Sequence, residues 1–277
     1  MPDAFVDRLR AIQQSKNSAV CVGLDPDPSR LPSPLSGADA PADAVAKFCY
    51  EIVEATAEYA CAFKLNFAFF EALGPEGATV LEHTASIIPE NCIIIGDAKR
   101  GDIGNSARFY ATAVFDHMHC DAITVAPYMG RDSVTPFLEK EDTCAFVLAR
   151  TSNPGARDFQ EACVCDDEPL YLRTAKLVNE WNDDHAGTAG LVAGATSPEA
   201  LRELRQACPT LPFLVPGVGS QGGDPTAVMN AAATDEGLVV VNSSRSVIYA
   251  SEDEDYADAA ARAAKSLRDV LNGDAGA

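Results

Sequence analysis

A few ionisable residues at close spacing could carry chemistry in this chain. In the run Ile93-Ile94-Ile95-Gly96-Asp97-Ala98-Lys99-Arg100-Gly101-Asp102, a strand's period of two sets Asp97 and Lys99 on one face. Opposite charges so placed compensate each other inside an apolar core. By itself a D-x-K pair is explained equally well as a buried ion pair that only stabilises. Lys64, in Phe63-Lys64-Leu65-Asn66, shifts that balance, because it ends a different apolar run and can approach the same centre. An alternating array of lysines and aspartates offers fixed charges of both signs around a reacting carbon, and an ammonium able to deliver a proton. A second anionic site is read from Val215-Pro216-Gly217-Val218-Gly219-Ser220-Gln221-Gly222-Gly223, whose glycines let backbone N–H groups approach a phosphate. Asn242-Ser243-Ser244-Arg245 follows another apolar run, and Arg245 would supply a charged fork. A glycine-rich loop alone is most often a turn; its pairing with the Arg245 segment is what points to phosphate.

Such residues act together only if the fold brings them to one place. Short apolar or β-branched runs recur at Ala19 to Asp25, Cys61 to Asn66, Ile93 to Lys99, Ala122 to Pro127, Ala145 to Thr151, Gly190 to Ala195, Pro212 to Val218 and Leu238 to Ser244. Their near-continuous apolarity is the pattern of parallel strands buried on both faces. Helical patterns lie between them, at Asp43 to Tyr59, Asn105 to His119, Leu170 to Asp183 and Ser197 to Ala207. The last has a clear start, with Ser197 as cap and Pro198 at the first helical position. The alternation predicts an α/β fold, a (β/α)8 TIM barrel forming one domain over residues 1–277, with a polar tail fraying from about residue 272. An open doubly wound sheet is the alternative, but no G-x-G-x-x-G follows the first run. In a barrel, Asp25, Lys64, Asp97, Lys99, Ser152, Gln221 and Arg245 fall at or just beyond the C-terminal strand ends, which converge on the mouth where active sites form. Small turn formers are the ordinary residues there, and lysines are not.

Composition narrows the partners. A formal net charge of −20 over 277 residues would repel nucleic acid and anionic membrane surfaces, so neither is an expected partner. Acidic residues are scattered over the chain and cluster at Glu252 to Asp255, which suggests a surface adapted to high salt. A phosphorylated substrate then needs a local island of positive charge, for which Lys64, Lys99, Arg100 and Arg245 are candidates. Nine cysteines spread through strands and helices, among them Cys21, Cys49, Cys61 and Cys120, do not form a secreted disulfide framework and fit a reducing cytoplasm. Cys163 and Cys165 lack the second pair a structural zinc site needs, and no metal is expected. The start, MPDAFVDRLR, is charged where a signal peptide is apolar, and no apolar run is long enough to span a membrane. His117 and His119 do not share a helical face. His83 and His185 read as surface residues, Trp181 as packing, and Ala156 to Glu168 as a polar, irregular loop, either a lid beside Ser152 or a variable segment.

The ordered set of motifs resembles one family, the orotidine 5'-phosphate decarboxylases, in their longer bacterial and archaeal subgroup. The resemblance runs through Val22-Gly23-Leu24-Asp25, Phe63-Lys64-Leu65-Asn66 with Phe69-Phe70-Glu71, Asp97-Ala98-Lys99-Arg100-Gly101-Asp102-Ile103, Thr151-Ser152-Asn153-Pro154-Gly155, Pro216-Gly217-Val218-Gly219 with Gln221, and Asn242-Ser243-Ser244-Arg245. D-x-K-x-x-D is shared with sugar-phosphate relatives; the ordered set is specific. The resemblance implies decarboxylation of orotidine 5'-phosphate to UMP in pyrimidine biosynthesis, without metal or cofactor. It makes Lys99 the proton donor to C6, sets Asp97 beside the substrate carboxylate, and has Lys64 hold the aspartates and contact ribose. Asp25 would bind ribose hydroxyls, Ser152 the pyrimidine, and Gln221 and Arg245 the phosphate, with Pro216 and Ser244 in the same substrate-binding set. Asp102, with Ile103 and Ser106, would reach across a homodimer interface into the neighbouring site, although threonine is the family's residue where Ser106 stands. Two rivals remain. A metal-dependent sugar-phosphate enzyme needs a carboxylate ligand where Lys64 stands. A silent nucleotide-phosphate binder has little use for Lys64, Asp97 and Lys99 together.

Overall fold

A computed structural model describes residues 4–165, 167–219, 221–235 and 237–274 of the chain. All the apolar runs become strands: β1 (Val20–Leu24), β2 (Ala62–Asn66), β3 (Ile93–Arg100), β4 (Ala122–Val125) and β5 (Cys144–Arg150). After a small antiparallel hairpin of β6 (Cys163–Cys165) and β7 (Glu168–Pro169) follow β8 (Thr188–Ala193), β9 (Phe213–Pro216) and β10 (Val239–Ser243). The strands outside the hairpin pair in parallel and close into a barrel in the order β1-β10-β9-β8-β5-β4-β3-β2. This is the expected TIM barrel, with helices between successive strands. No helix among the described residues is long and apolar enough to cross a membrane.

The strand period of two explains where the polar residues end up. Alternate residues such as Val22, Leu24, Phe63 and Leu65 join the outer core and pack with helix residues such as Phe48 and Ile52. The intervening residues Cys21, Ala62, Ile93, Ile95, Ala122, Phe146, Leu214 and Val240 form a second, inner cluster. Continued towards the C-terminal ends, that inner register meets Asp25, Lys64, Asp97, Thr124 and Asn242, all of which line one cavity. The barrel interior is therefore apolar at its floor and charged at its mouth.

The floor is closed by an element that sequence reading did not identify. The helix Phe5–Lys16 buries Phe5, Leu9 and Ile12, a spacing that makes one helical stripe, against the inner cluster. The Phe5 ring meets Phe146 edge-on, with centroids 6.2 Å apart. Gln13 donates to the Val239 carbonyl at 2.7 Å, Lys16 to that of Ala57 at 2.6 Å, and Arg8 pairs with the partly buried Asp121. Burial raises the Asp121 carboxyl above its usual range.

The helix Leu170–Asp183 has the expected bounds, and Ser197 caps Pro198–Ala207 by accepting from the Ala200 N–H at 3.4 Å. Other segments differ from expectation. The helix expected over residues 105–119 is α-helical only from Gly104 to Ala111 and continues with π-helical spacing over Thr112–His117, where Met118 donates to the Ala113 carbonyl. The loop expected to be irregular over Ala156 to Glu168 holds a short helix, Ala156–Phe159, and one strand of the β6–β7 hairpin; its Asp166 lies outside the described residues. The tail expected to fray from residue 272 is still tied there: Asn272 donates to the Asn17 carbonyl at 2.8 Å and Asp274 N–H to that of Asp269. Residues 275–277 of that tail, and 1–3 at the other end, lie outside the described residues. Cys21, Cys49, Cys61, Cys92, Cys120, Cys144, Cys163 and Cys208 are free thiols.

Candidate active site

The mouth of the barrel holds a cavity of about 370 Å³. On one side Asp25, Lys64, Asp97 and Lys99 alternate in charge. Lys64 Nζ lies 2.8 Å from Asp97 Oδ2 and 3.6 Å from Asp25 Oδ1, and Lys99 Nζ lies 2.5 Å from Asp97 Oδ1. Lys64 and Asp97 are buried, whereas half of the Lys99 side chain is exposed to the cavity (51%). Burying an ammonium costs several kcal/mol. For Lys64 that penalty is outweighed by Asp97 and Asp25 together, which hold its pKa above the ordinary lysine value. Burial likewise opposes the charge of Asp97, but Lys64 and Lys99 overcome it and hold the carboxyl well below the usual range. Both groups are thus fixed in their charged forms at neutral pH. Asp25 Oδ1 is buried and makes no hydrogen bond among the described residues; Lys64 Nζ at 3.6 Å compensates its charge.

The regular alternation expected to aim Asp97 and Lys99 inward breaks down between them. The β3–β4 register slips between Gly96 and Arg100, and Lys99 has φ +46°. A left-handed non-glycine residue costs on the order of 1–3 kcal/mol and persists only where its surroundings hold it. The bulge turns Lys99 into the cavity at that cost. Thr124 of β4 is part of what holds it: its hydroxyl accepts from the Lys99 N–H and donates to Asp97 Oδ1, each at 2.9 Å.

The opposite wall carries the glycine-rich loop and the segment after β10. Pro216, Gly217, Val218, Gln221, Ser244 and Arg245 line it, while Ser220 lies outside the described residues. Gly217 has φ +101°, and a Cβ there would crowd the Ser152 side chain. A Cβ on Gly23 would overlap the Ser244 hydroxyl, so this glycine allows β1 and the residue after β10 to approach. Ser152 Oγ donates to Gln221 Oε1 at 2.5 Å, linking the segment after β5 to the loop. Tyr249 was missed from sequence. Its hydroxyl accepts from the Asp27 N–H at 2.7 Å and donates to the Asp25 carbonyl at 3.2 Å, tying the end of β1 to the segment that starts with Arg245.

Not every expected site residue reaches the cavity. Asp102, Ile103 and Ser106 do not line it. Asp102 accepts from the Ile103 N–H at 2.8 Å, Ile103 is exposed, and Ser106 lies on the exposed side of the next helix. Arg100 is a correction, because it is not part of the cationic island: it pairs with Glu71 at 2.7 Å and lies over the Phe67 and Tyr110 rings. Among the described residues, no three His, Cys, Asp or Glu side chains come together as metal ligands, Cys163 included.

The model of the orotidine 5'-phosphate decarboxylase / HUMPS family matches residues 18–260. The chain belongs to that family. Two relatives bearing the name orotidine 5'-phosphate decarboxylase are similar over nearly their whole length. The one from Herpetosiphon aurantiacus is 47% identical over 266 residues, covering 95% of this chain and 96% of its own. The one from Roseiflexus sp. is 46% identical over 270 residues, 97% of each chain. Among solved structures, OMP decarboxylase from Leishmania donovani aligns with a TM-score of 0.80 at 36% identity, over 96% of this chain and 99% of that one. UMP synthase of the same organism aligns with a TM-score of 0.82 at 39% identity, over 96% of this chain and 56% of that one. The family span includes every residue that lines the cavity and begins after the floor helix.

Proposed function

We propose that this chain decarboxylates orotidine 5'-phosphate to UMP in pyrimidine biosynthesis, without metal or organic cofactor, and that Lys99 protonates C6. The observation that carries this reading is the alternating Asp25, Lys64, Asp97, Lys99 array and the polar wall of Gln221, Ser244 and Arg245 lining one cavity. In this reading the phosphate takes the Arg245 fork and the backbone of the glycine loop. Ribose hydroxyls meet Asp25 and Lys64, and Ser152 meets the pyrimidine. The 6-carboxylate is then held beside Asp97, whose fixed charge repels it. The bond from C6 to the carboxylate carbon breaks, carbon dioxide leaves, and the electron pair stays on C6. The Lys99 ammonium stabilises that pair and gives it a proton, so that one proton taken up from solvent restores the enzyme. Binding energy from the remote phosphate, with closure of the Gln221 loop, raises turnover as well as affinity.

The same reading makes the active unit a homodimer, in which Asp102, Ile103 and Ser106 serve the neighbour's site. Its support is that these residues do not line their own cavity and that apolar side chains beside them, Ile103, Phe109, Tyr128 and Met129, are exposed. The free thiols support a reducing, cytoplasmic setting.

The test is incubation of the pure protein with orotidine 5'-phosphate, following the fall in ultraviolet absorbance and the release of carbon dioxide. Turnover that survives EDTA is expected. Loss of turnover in EDTA would overturn the metal-free part of the reading, and no turnover of orotidine 5'-phosphate at all, with activity on a sugar phosphate that needs a divalent metal, would move the chain to that rival. Tight UMP binding without turnover would make it a silent binder.

A further inference from the structure

Between Gly96 and Arg100, β3 gains residues that β4 does not match, since Gly96 pairs with Ile123 and Arg100 with Val125. Asp97, Ala98 and Lys99 therefore all face a single residue, Thr124. That residue is 1% exposed, and a hydroxyl so buried needs partners for both its proton and its lone pairs. It has both: the proton goes to Asp97 Oδ1 and a lone pair receives the Lys99 N–H, each at 2.9 Å. The same Asp97 oxygen receives Lys99 Nζ at 2.5 Å, so Thr124, Asp97 and Lys99 close a small hydrogen-bonded circuit through both ends of Lys99. An apolar residue of the same shape, as its neighbours Ile123 and Val125 are apolar, would fill the space and leave the circuit open.

We propose that Thr124 is a positioning residue for the decarboxylation: its hydroxyl clamps the left-handed backbone of Lys99 to the carboxylate of Asp97, so the ammonium is aimed before substrate arrives. Lys99 is half exposed on a bulge, and its long side chain would otherwise sample many rotamers. The clamp fixes the bulge from the β4 side, where the regular ladder is interrupted. The kinetic part of this inference rests on the decarboxylase reading; the geometric part does not.

Thr124→Val keeps the shape and removes the hydroxyl, and Thr124→Ser keeps the hydroxyl and removes a methyl. The valine protein is expected to lower kcat about 100-fold, the scale of a misplacement of about 1 Å, with KM close to wild type. The serine protein should retain most of the wild-type kcat. A crystal structure of the valine protein should show Lys99 out of its left-handed conformation and its Nζ displaced from Asp97. Wild-type kcat in the valine protein overturns the proposal, as does serine losing as much as valine. An undisturbed Lys99 in the valine crystal structure overturns it whatever the activity. If the wild-type protein does not decarboxylate orotidine 5'-phosphate, the functional reading fails and the position of Lys99 alone decides the clamp.

Discussion

Lys99 carries the heaviest demand of any single residue, since the proposed chemistry needs both its charge and its proton. Lys99→Ala should fold, its side chain being half exposed, yet lose decarboxylation by at least about 10⁴-fold, the combined scale of a lost proton donor and a lost charge stabiliser. Near-normal turnover by a well-folded Lys99→Ala protein would remove it from the mechanism. Asp97 gives a prediction in pH. Its carboxyl titrates lower in the folded protein than in the unfolded chain, because Lys64 and Lys99 outweigh its burial. The resulting stabilisation is complete above the unfolded value of about 4 and disappears as pH falls through the lower folded value. The urea midpoint of the wild type should therefore exceed that of Asp97→Asn at pH 7, with the gap narrowing as the pH is taken below about 4. A gap independent of pH would refute the charge argument. Asp97 and Lys99 were legible in the sequence because charges in an apolar run are rare. Thr124 and Tyr249 were not, because threonine is an ordinary strand former and a tyrosine's hydroxyl partners lie far away in sequence.

At the scale of elements, the strands were legible and the irregularities were not. Parallel strands buried on both faces leave unbroken apolar runs that a sequence displays openly. The β3 bulge leaves no such mark, since Asp97 and Lys99 are two apart whether the strand is regular or not. The floor helix is hard to read for a different reason: Asp7, Arg8 and Arg10 are interspersed with a stripe of only three buried residues, Phe5, Leu9 and Ile12, so its apolar period is short and diluted by charge. That stripe carries a testable load. Phe5 is fully buried against the barrel floor, so Phe5→Ala should cost about 3–5 kcal/mol in denaturant unfolding. Turnover per folded molecule should stay near wild type, because the charged array stands at the other end of the barrel. A large loss of kcat with unchanged stability would show that the helix does more than seal the floor.

At the scale of the whole molecule, the two outstanding matters are charge and assembly. With 41 acidic against 21 basic residues, the protein repels itself at low ionic strength. Screening shortens from about 10 Å at 0.1 M salt to about 3 Å at 1 M, so the thermal midpoint should rise over that range. An unchanged or lower midpoint would reduce the acidity to an ordinary solvated surface. Assembly is tested by mixing. Inactive Asp102→Ala and Lys99→Ala chains, unfolded and refolded together, should regain part of the wild-type activity, because one of the two sites in each mixed dimer would then have both residues intact. No recovery from verified mixed dimers would return Asp102 to its own subunit.

The floor helix and the last helix also decide how this barrel could be joined to other things. Asn272 reaches back to the carbonyl of Asn17, so the end of the last helix is tied to the end of the floor helix, on the side of the barrel away from the charged mouth. A second protein fused at either end, or a tether to a solid support, would hang below the barrel and leave the entrance open to substrate.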